Sequence, residues 1–319
     1  MKNLSDSKIL CIGGANVDYK FSLEQELVLG TSNPISSKHT YGGVARNVAE
    51  NLGRLGLEVS LLTLIGDDFL GKEIKSYCQK HIDMSLTSSI TTKKTGSYYA
   101  VVEKTGEMSV AYSDMDICLM MDDKWIEQNE AQLSEFKILM TDLNVQVSGV
   151  KALINYCKEH KKELIIIGVS GPKMRNLPND LKGVKLLICN LDEAQKYFST
   201  EENNMFTLAR NFLDLGLENI VITSGSQTVV YGNTELNSVF PKKHKEDEII
   251  DVTGAGDSFS AGVIYGLLKE KDLTEAVKLG LINASLTIRS EDSVRKDLNI
   301  DLLLKQPVMM SRDKNNKKD

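Results

Sequence analysis

The chain is poor in the residues that commit a protein to several common chemistries. Its four histidines, His39, His81, His160 and His244, stand far apart, and none has a partner at metal-ligand spacing. Its five cysteines, Cys11, Cys78, Cys118, Cys157 and Cys189, are odd in number, scattered, and never form a Cys-x-x-Cys pair. A transition-metal enzyme and a disulfide scaffold are therefore disfavoured, and the thiols are expected reduced and mostly in the core. Surplus positive charge is lacking too: Lys+Arg 38 against Asp+Glu 44 gives a net charge of −6, which speaks against a nucleic-acid or anionic-membrane partner. No apolar run approaches the ~18 residues of a membrane span, and MKNLSDSKILCIGG is too short and polar for a signal peptide, so the expectation is a cytoplasmic protein. There is no internal repeat, and no G-x-G-x-x-G follows the first strand, so a dinucleotide oxidoreductase has no fingerprint here.

What is present is ordinary globular material: 319 residues, 41% hydrophobic and 26% charged, enough for one large α/β domain or two smaller ones. Short apolar runs at 8–12, 59–65, 136–141, 163–169, 184–189 and 219–223 alternate with helical patterns at 44–56, 149–160 and 206–216. Strands apolar throughout, separated by helices, predict a doubly wound α/β fold around a mostly parallel sheet. Residues 17–40 and 95–113 break the rhythm; TGSYYAVVEKTGEMSVAYS reads as two β-rich runs about a glycine-containing turn, outside the main sheet. PKKHKEDE (241–248) is expected to be a solvated loop, residues 1–306 a single domain, and 307–319 a flexible polar tail.

DVTGAGDSFSAG (251–262) carries the strongest chemical signal. Gly254, Ala255 and Gly256 strip bulk from the first turn of a helix, so backbone N–H groups can converge on an anion at the positive end of its dipole. Asp257 in the same turn could accept a proton from an attacking hydroxyl; equally, it could do no more than complement the helix terminus. In YGGVARN (41–47), Gly42 and Gly43 allow close backbone approach to a polar ligand, with Asn47 one turn into a helix. In GGANVD (13–18), Asn16 and Asp18 suit a vicinal diol or an Asx turn. NLDEA (190–194) sets Asn190 and Glu193 at i and i+3, suited to hydrated Mg²⁺ or to a capping box. ITSGSQ (222–227) offers Thr223 and Gly225 to nucleotide phosphates or forms an ordinary turn. GDDFLGKE (66–73) lacks the Ser or Thr of a P-loop and reads as a loop entering a helix, and GDSFS (256–260) lacks a G-x-S-x-G elbow.

In order and spacing, GGANVD, YGGVARN, NLDEA, TSGS and DVTGAGD resemble the ribokinase-like (PfkB) family of carbohydrate and nucleoside kinases over roughly residues 8–300. Within it, SNP (32–34), GGVARNVAENL (42–52), TGEMSVAYSDMDI (105–117) and VSGPK (169–173) resemble the pseudouridine kinases. The resemblance implies a ribokinase-like fold with segments 17–40 and 95–113 as a β lid, and ATP-dependent phosphorylation of the 5′-hydroxyl of a ribonucleoside, pseudouridine first. Another acceptor (ribose, inosine, a ketohexose) or a catalytically silent ligand-binding member are the alternatives. It makes Asp257 the base, Gly254, Ala255 and Gly256 the anion hole, and Asn16, Asp18, Gly42, Gly43, Asn47 and Lys173 acceptor contacts. Asn190, Thr223, Gly225 and Asn283 fall to ATP, Glu193 to Mg²⁺ through water, and Asp251 to a monovalent cation, K⁺. A homodimer through the lid is also expected, since unpaired strand edges seek partners. Two departures from the family pattern stand out: Thr228 near the place of a second glycine in the nucleotide turn, and Ser-Gly-Pro before Lys173.

Overall fold

A computed structural model describes residues 8–241, 248–306 and 310–311. The loop expected at 241–248 and the tail at 307–319 thus lie almost wholly outside the described residues. The first third runs β1 (Ile9–Ile12), β2 (Asn16–Leu23), β3 (Ile35–Gly42), α1 (Val44–Arg54), β4 (Val59–Leu62), β5 (Leu64–Gly66), α2 (Phe69–Cys78), β6 (Ser88–Ile90), β7 (Gly96–Val102) and β8 (Met108–Asp114). The middle continues with α3 (Asp123–Gln128), α4 (Glu130–Ser134), β9 (Ile138–Asp142), α5 (Val147–His160), β10 (Glu163–Ile167), β11 (Leu186–Asn190), α6 (Leu191–Phe198) and α7 (Met205–Asp214). The last third holds β12 (Ile220–Ser224), β13 (Thr228–Gly232), β14 (Leu236–Pro241), α8 (Ala255–Leu268), α9 (Leu273–Thr287), α10 (Ile300–Lys305) and β15 (Met310–Ser311).

Nine strands form the main sheet in the order β15-β14-β13-β12-β11-β10-β9-β1-β4. From β12 to β4 every neighbour is parallel, whereas β13, β14 and β15 pair antiparallel. The expected doubly wound, mostly parallel sheet is what forms, and the physical reason is visible in the side chains. Ile9 and Cys11 point into one apolar layer under α1, α8 and α9, while Leu10 and Ile12 point into the other, under α5 and α7. Strands buried on both faces have no polar side to alternate with.

The predicted strand 59–65 is broken. Thr63 turns its hydroxyl onto the carbonyl of Gly13 at 2.6 Å, so β4 stays in the main sheet while β5 pairs with β6 in a sheet of two strands. GDDFLGKE is the expected loop into a helix: Asp68 caps α2 by accepting from the N–H of Gly71 at 2.8 Å.

The segments that broke the α/β rhythm make a separate four-stranded sheet, ordered β3-β2-β7-β8, with β2 and β7 parallel and the outer pairs antiparallel. Its alternation sorts two faces. Asn16, Asp18 and Lys20 lie on one, in register with Gly42, Thr40 and Lys38. Tyr19, Phe21 and Tyr99 lie on the other, with the Tyr19 and Tyr99 rings stacked at 5.1 Å. Tyr41 carries this aromatic face onto Tyr77 of α2, 4.6 Å away.

Candidate active site

The order of the main sheet reverses between β1 and β9: the chain runs from β1 outward to β4 on one side and from β9 through β12 on the other. Open α/β sheets leave a crevice at the carboxyl ends of strands at such a point. Asp142, the last residue of β9, fills the floor of it. Its fully buried carboxylate accepts from the N–H groups of Gly14 (3.0 Å), Ala45 (2.8 Å) and Asn144 (2.9 Å), and from the Asn144 amide (3.1 Å). Burial pushes its pKa up, against those four donors. One carboxylate therefore knits the GGANVD loop to the YGGVARN loop. Asp142 and Asn144 are not among the expected site residues, because the apolar run at 136–141 stops one residue short of the strand's end. Carrying it one residue further would have set an Asp at a strand's carboxyl end, the placement that singled out Asn16 and Asp18.

Above this floor the expected acceptor residues come together. Asp18 stands over Gly42, where any Cβ would strike its carboxylate, and accepts from the Asn16 amide at 2.5 Å. Burial lifts Asp18 to about 6, opposed by Asn16 and by the charge of Arg46. Gly43 adopts φ 95°, and its α-carbon packs against Gly14 so closely that a Cβ would collide with the Gly14 carbonyl. Asn47, within α1, donates its amide to Asp257 Oδ2 at 2.6 Å, which joins the YGGVARN motif to the DVTGAGD motif 210 residues away.

Asp257 sits in the first turn of α8, whose N-cap, Gly254, has φ 78° and packs against the Ser293 carbonyl. No side chain caps that helix. The N–H of Ala255 donates to Val252 O at 3.2 Å, and Gly256 and Asp257 are the first-turn residues at the cleft wall. Burial raises Asp257 to about 7, and the nearby carboxylates of Asp142 and Asp18 add to it. The Asn47 hydrogen bond and the Arg46 charge pull the other way. A carboxyl poised near neutrality, beside N–H groups at a helix dipole's positive end, can take a proton while those groups bind an anion.

A cleft of ≈ 130 Å³ continues from Asp257 and Gly256 to Asn190, Glu193 and Thr223. Asn190 and Glu193 form the capping box that was one of their two sequence readings: Asn190 Oδ1 accepts from the Glu193 N–H at 2.8 Å, and Glu193 Oε2 accepts from the Asn190 N–H at 2.9 Å. The box does not remove Glu193 from the cleft. Gly168, at the end of β10, has room for no Cβ because Glu193 Oε2 occupies that space. Burial raises Glu193 to about 7. A single buried carboxylate with one oxygen committed suits an ion that keeps its waters, and no cluster of three His, Cys, Asp or Glu exists among the described residues to ligate a metal directly.

Four other expected site residues do not line that cleft. Asn283 is fully buried, and its amide donates to Asn51 Oδ1 (3.0 Å) and Ser258 O (2.8 Å) within the α1–α8–α9 packing, away from the cleft. Gly225 is at the exposed tip of the β12–β13 hairpin with φ 50°. Lys173 is half-buried on a 3₁₀ turn, Gly171–Asn176, where its charge is felt by the buried Cys118. Asp251 has both oxygens engaged, Oδ1 by the N–H (2.9 Å) and hydroxyl (2.7 Å) of Thr253 and Oδ2 by Lys20 of the lid (3.2 Å). That carboxylate is paired with a half-exposed ammonium, and no step is assigned to a monovalent ion. A larger cavity of ≈ 450 Å³ lies at the amino ends of β1, β4 and β9, where Asp83 accepts from the Ser60 and Ser85 hydroxyls at 3.1 and 2.9 Å.

The description pfkB family carbohydrate kinase matches residues 6–298. The pseudouridine kinase of Escherichia coli (strain K12) is 26% identical over 298 residues, covering 92% of this chain and 94% of that protein. A ribokinase of Haemophilus influenzae is 26% identical over 288 residues, covering 87% and 90%. Among solved structures, a carbohydrate kinase from Agrobacterium tumefaciens superposes with a TM-score of 0.81 at 28% identity, covering 93% of this chain and 95% of that one.

Proposed function

The chain belongs to the pfkB family of carbohydrate kinases, ATP-dependent phosphotransferases that act on small sugars and nucleosides, and on that footing we propose that it phosphorylates the 5′-hydroxyl of a ribonucleoside, pseudouridine first. The observation that carries the reading is the Asn47–Asp257 bond, which sets a carboxylate of raised pKa at an uncapped, glycine-lined helix start beside Asp18 and Asn16. Asp18 and Asn16 suit the two ribose hydroxyls, since a carboxylate and an amide two residues apart on one strand face can grip a vicinal diol. Asp257 then takes the proton of the primary hydroxyl as it attacks the γ-phosphorus in line with the leaving ADP oxygen. The N–H groups of Gly256 and Asp257 bind the equatorial oxygens as charge redistributes. Asn190, Glu193 and Thr223 stand where the ATP phosphates enter, and Glu193 would hold the waters of Mg²⁺. An ion held there would supply positive charge against that of the transferring phosphoryl group. The lid covers the acceptor and excludes water that would otherwise accept the phosphoryl group.

Preference for pseudouridine rests on the segments 105–117 and 169–173 and on the likeness to the E. coli enzyme of that name. Likeness to a ribokinase supports ribose as the second reading. Two copies are proposed to pair through the lid.

The test is ADP release with ATP and Mg²⁺ against pseudouridine, uridine, inosine, ribose and fructose. Saturable turnover on pseudouridine alone supports the reading; turnover on ribose alone replaces the acceptor and keeps the mechanism. ATP binding with no acceptor-dependent ADP release from any of them sinks the kinase assignment.

A further inference from the structure

Arg46 lies one residue before Asn47 in α1 and is almost wholly enclosed, at 1% exposure. Its guanidinium has donors only. Nε donates to Gly42 O at 3.1 Å and one terminal nitrogen to Tyr41 O at 2.6 Å, so it gathers the last two carbonyls of lid strand β3. The same terminal nitrogen donates to Asn47 Oδ1, and the other pairs with Glu50 Oε2. Glu50, itself fully buried, is held from its other oxygen by Arg54 at 2.7 Å. The Asn47 amide is thereby given one orientation: only its oxygen can face a guanidinium, so its NH₂ must face Asp257 Oδ2, 2.6 Å away.

We propose that Arg46, buttressed by Glu50, is a positioning residue for the base: it locks the Asn47 amide so that Asn47 donates to Asp257, and it couples the root of the lid to that bond. The inference rests on the reading of Asp257 as the base. Without Arg46 the Asn47 amide can rotate its oxygen toward Asp257, which replaces a donor with a repulsive acceptor and leaves the ionised carboxylate unsupported. The charge of Arg46 acts in the same direction as the hydrogen bond. Among the described residues, the charged groups that bear on Asp257 are Arg46 from α1, Asp18 from β2 and Asp142 from β9, and of these Arg46 favours its ionised form.

The experiment is a ¹³C carboxyl NMR titration of Asp257, its signal assigned by its loss in Asp257→Asn, run beside the pH profile of kcat. Arg46→Met should move the NMR midpoint upward by about one pH unit or more, and the kinetic midpoint with it. Glu50→Gln leaves the guanidinium less neutralised and should move both downward. A merely structural role predicts no such pair of opposite shifts. Removing one partner of a buried ion pair is strongly destabilising, and should Arg46→Met or Glu50→Gln fail to fold, Arg46→Lys, which keeps a positive charge but loses the fork that holds the Tyr41 and Gly42 carbonyls and Asn47 Oδ1, must still give an upward shift. Midpoints unmoved in folded variants overturn the inference even if the enzyme turns over. Shifted NMR midpoints in a protein that phosphorylates no acceptor leave the coupling standing and overturn only the reading of Asp257 as a base.

Discussion

At Asp257 burial and the facing carboxylates of Asp142 and Asp18 resist ionisation, while the Asn47 amide and Arg46 assist it, and resistance wins. A carboxyl in an unfolded chain titrates near 4, so with a native value of about 7 the native state binds the extra proton between those limits. By linkage, the contribution of this group to stability falls as pH rises from about 4 to about 7. Asp257→Asn should therefore raise the urea midpoint at about pH 8 and leave it unchanged at about pH 4, while lowering kcat by about 10²- to 10⁴-fold. A variant less stable than the parent at pH 8 would show that the ionised carboxylate is well satisfied in the fold, contrary to this account. The parent's kcat should rise with pH to a plateau above about 7, because only the ionised form accepts a proton. Asp257 was legible in the sequence as a candidate because an acid beside glycines at a helix start suits an anion site, although the same pattern suits a plain helix terminus. Arg46 was not, since an arginine in a helical pattern gives no sign of which carbonyl it will meet.

The elements that matter most are two glycine turns and the carboxylate that binds two loops. Gly43 combines φ 95° with backbone contact to Gly14, so Gly43→Ala is penalised both by conformation and by collision. The expected cost is about 2 kcal/mol or more, read from the denaturant midpoint. A loss under about 0.5 kcal/mol would mean that the loops can separate without consequence. Both glycine motifs were visible as spacing. The carboxylate that holds them together, Asp142 at the end of β9, has the placement of a strand-end ligand in the sequence, but which backbone N–H groups it binds depends on the loops that folding brings to it. NLDEA shows the converse case: its local hydrogen bonds are the capping box that the pattern allowed, and only the packing of Gly168 against Glu193 brings that box to the cleft.

Across the whole molecule, the ribokinase-like sheet supplies the crevice and the small four-stranded sheet, proposed as its lid, is tied to the main body by Lys20 to Asp251 and by Lys38 to Glu291 at 3.0 Å. The lid's edge strands β3 and β8 leave apolar groups in water, among them Met108 at 60% and Tyr112 at 63% exposure. Such edges invite pairing with a second copy. Sedimentation velocity should give a dimer that Tyr112→Lys converts to a monomer, whereas a parent that is monomeric at every concentration rules the pairing out. The sequence by itself determined the α/β alternation, the separate lid segments and the residues at strand ends and helix starts, because strand burial, helix periodicity and turn chemistry are local properties of the chain. It also carried the family, through motif order. Only the tertiary structure decided which of those polar residues meet. Asn47 reaches Asp257 across 210 positions, Asp251 is paired with a lid lysine, and Asn283 is turned into a helix interface. Those outcomes depend on strand order and on helices packed side by side, and no local pattern encodes the distance between residues that only folding makes neighbours.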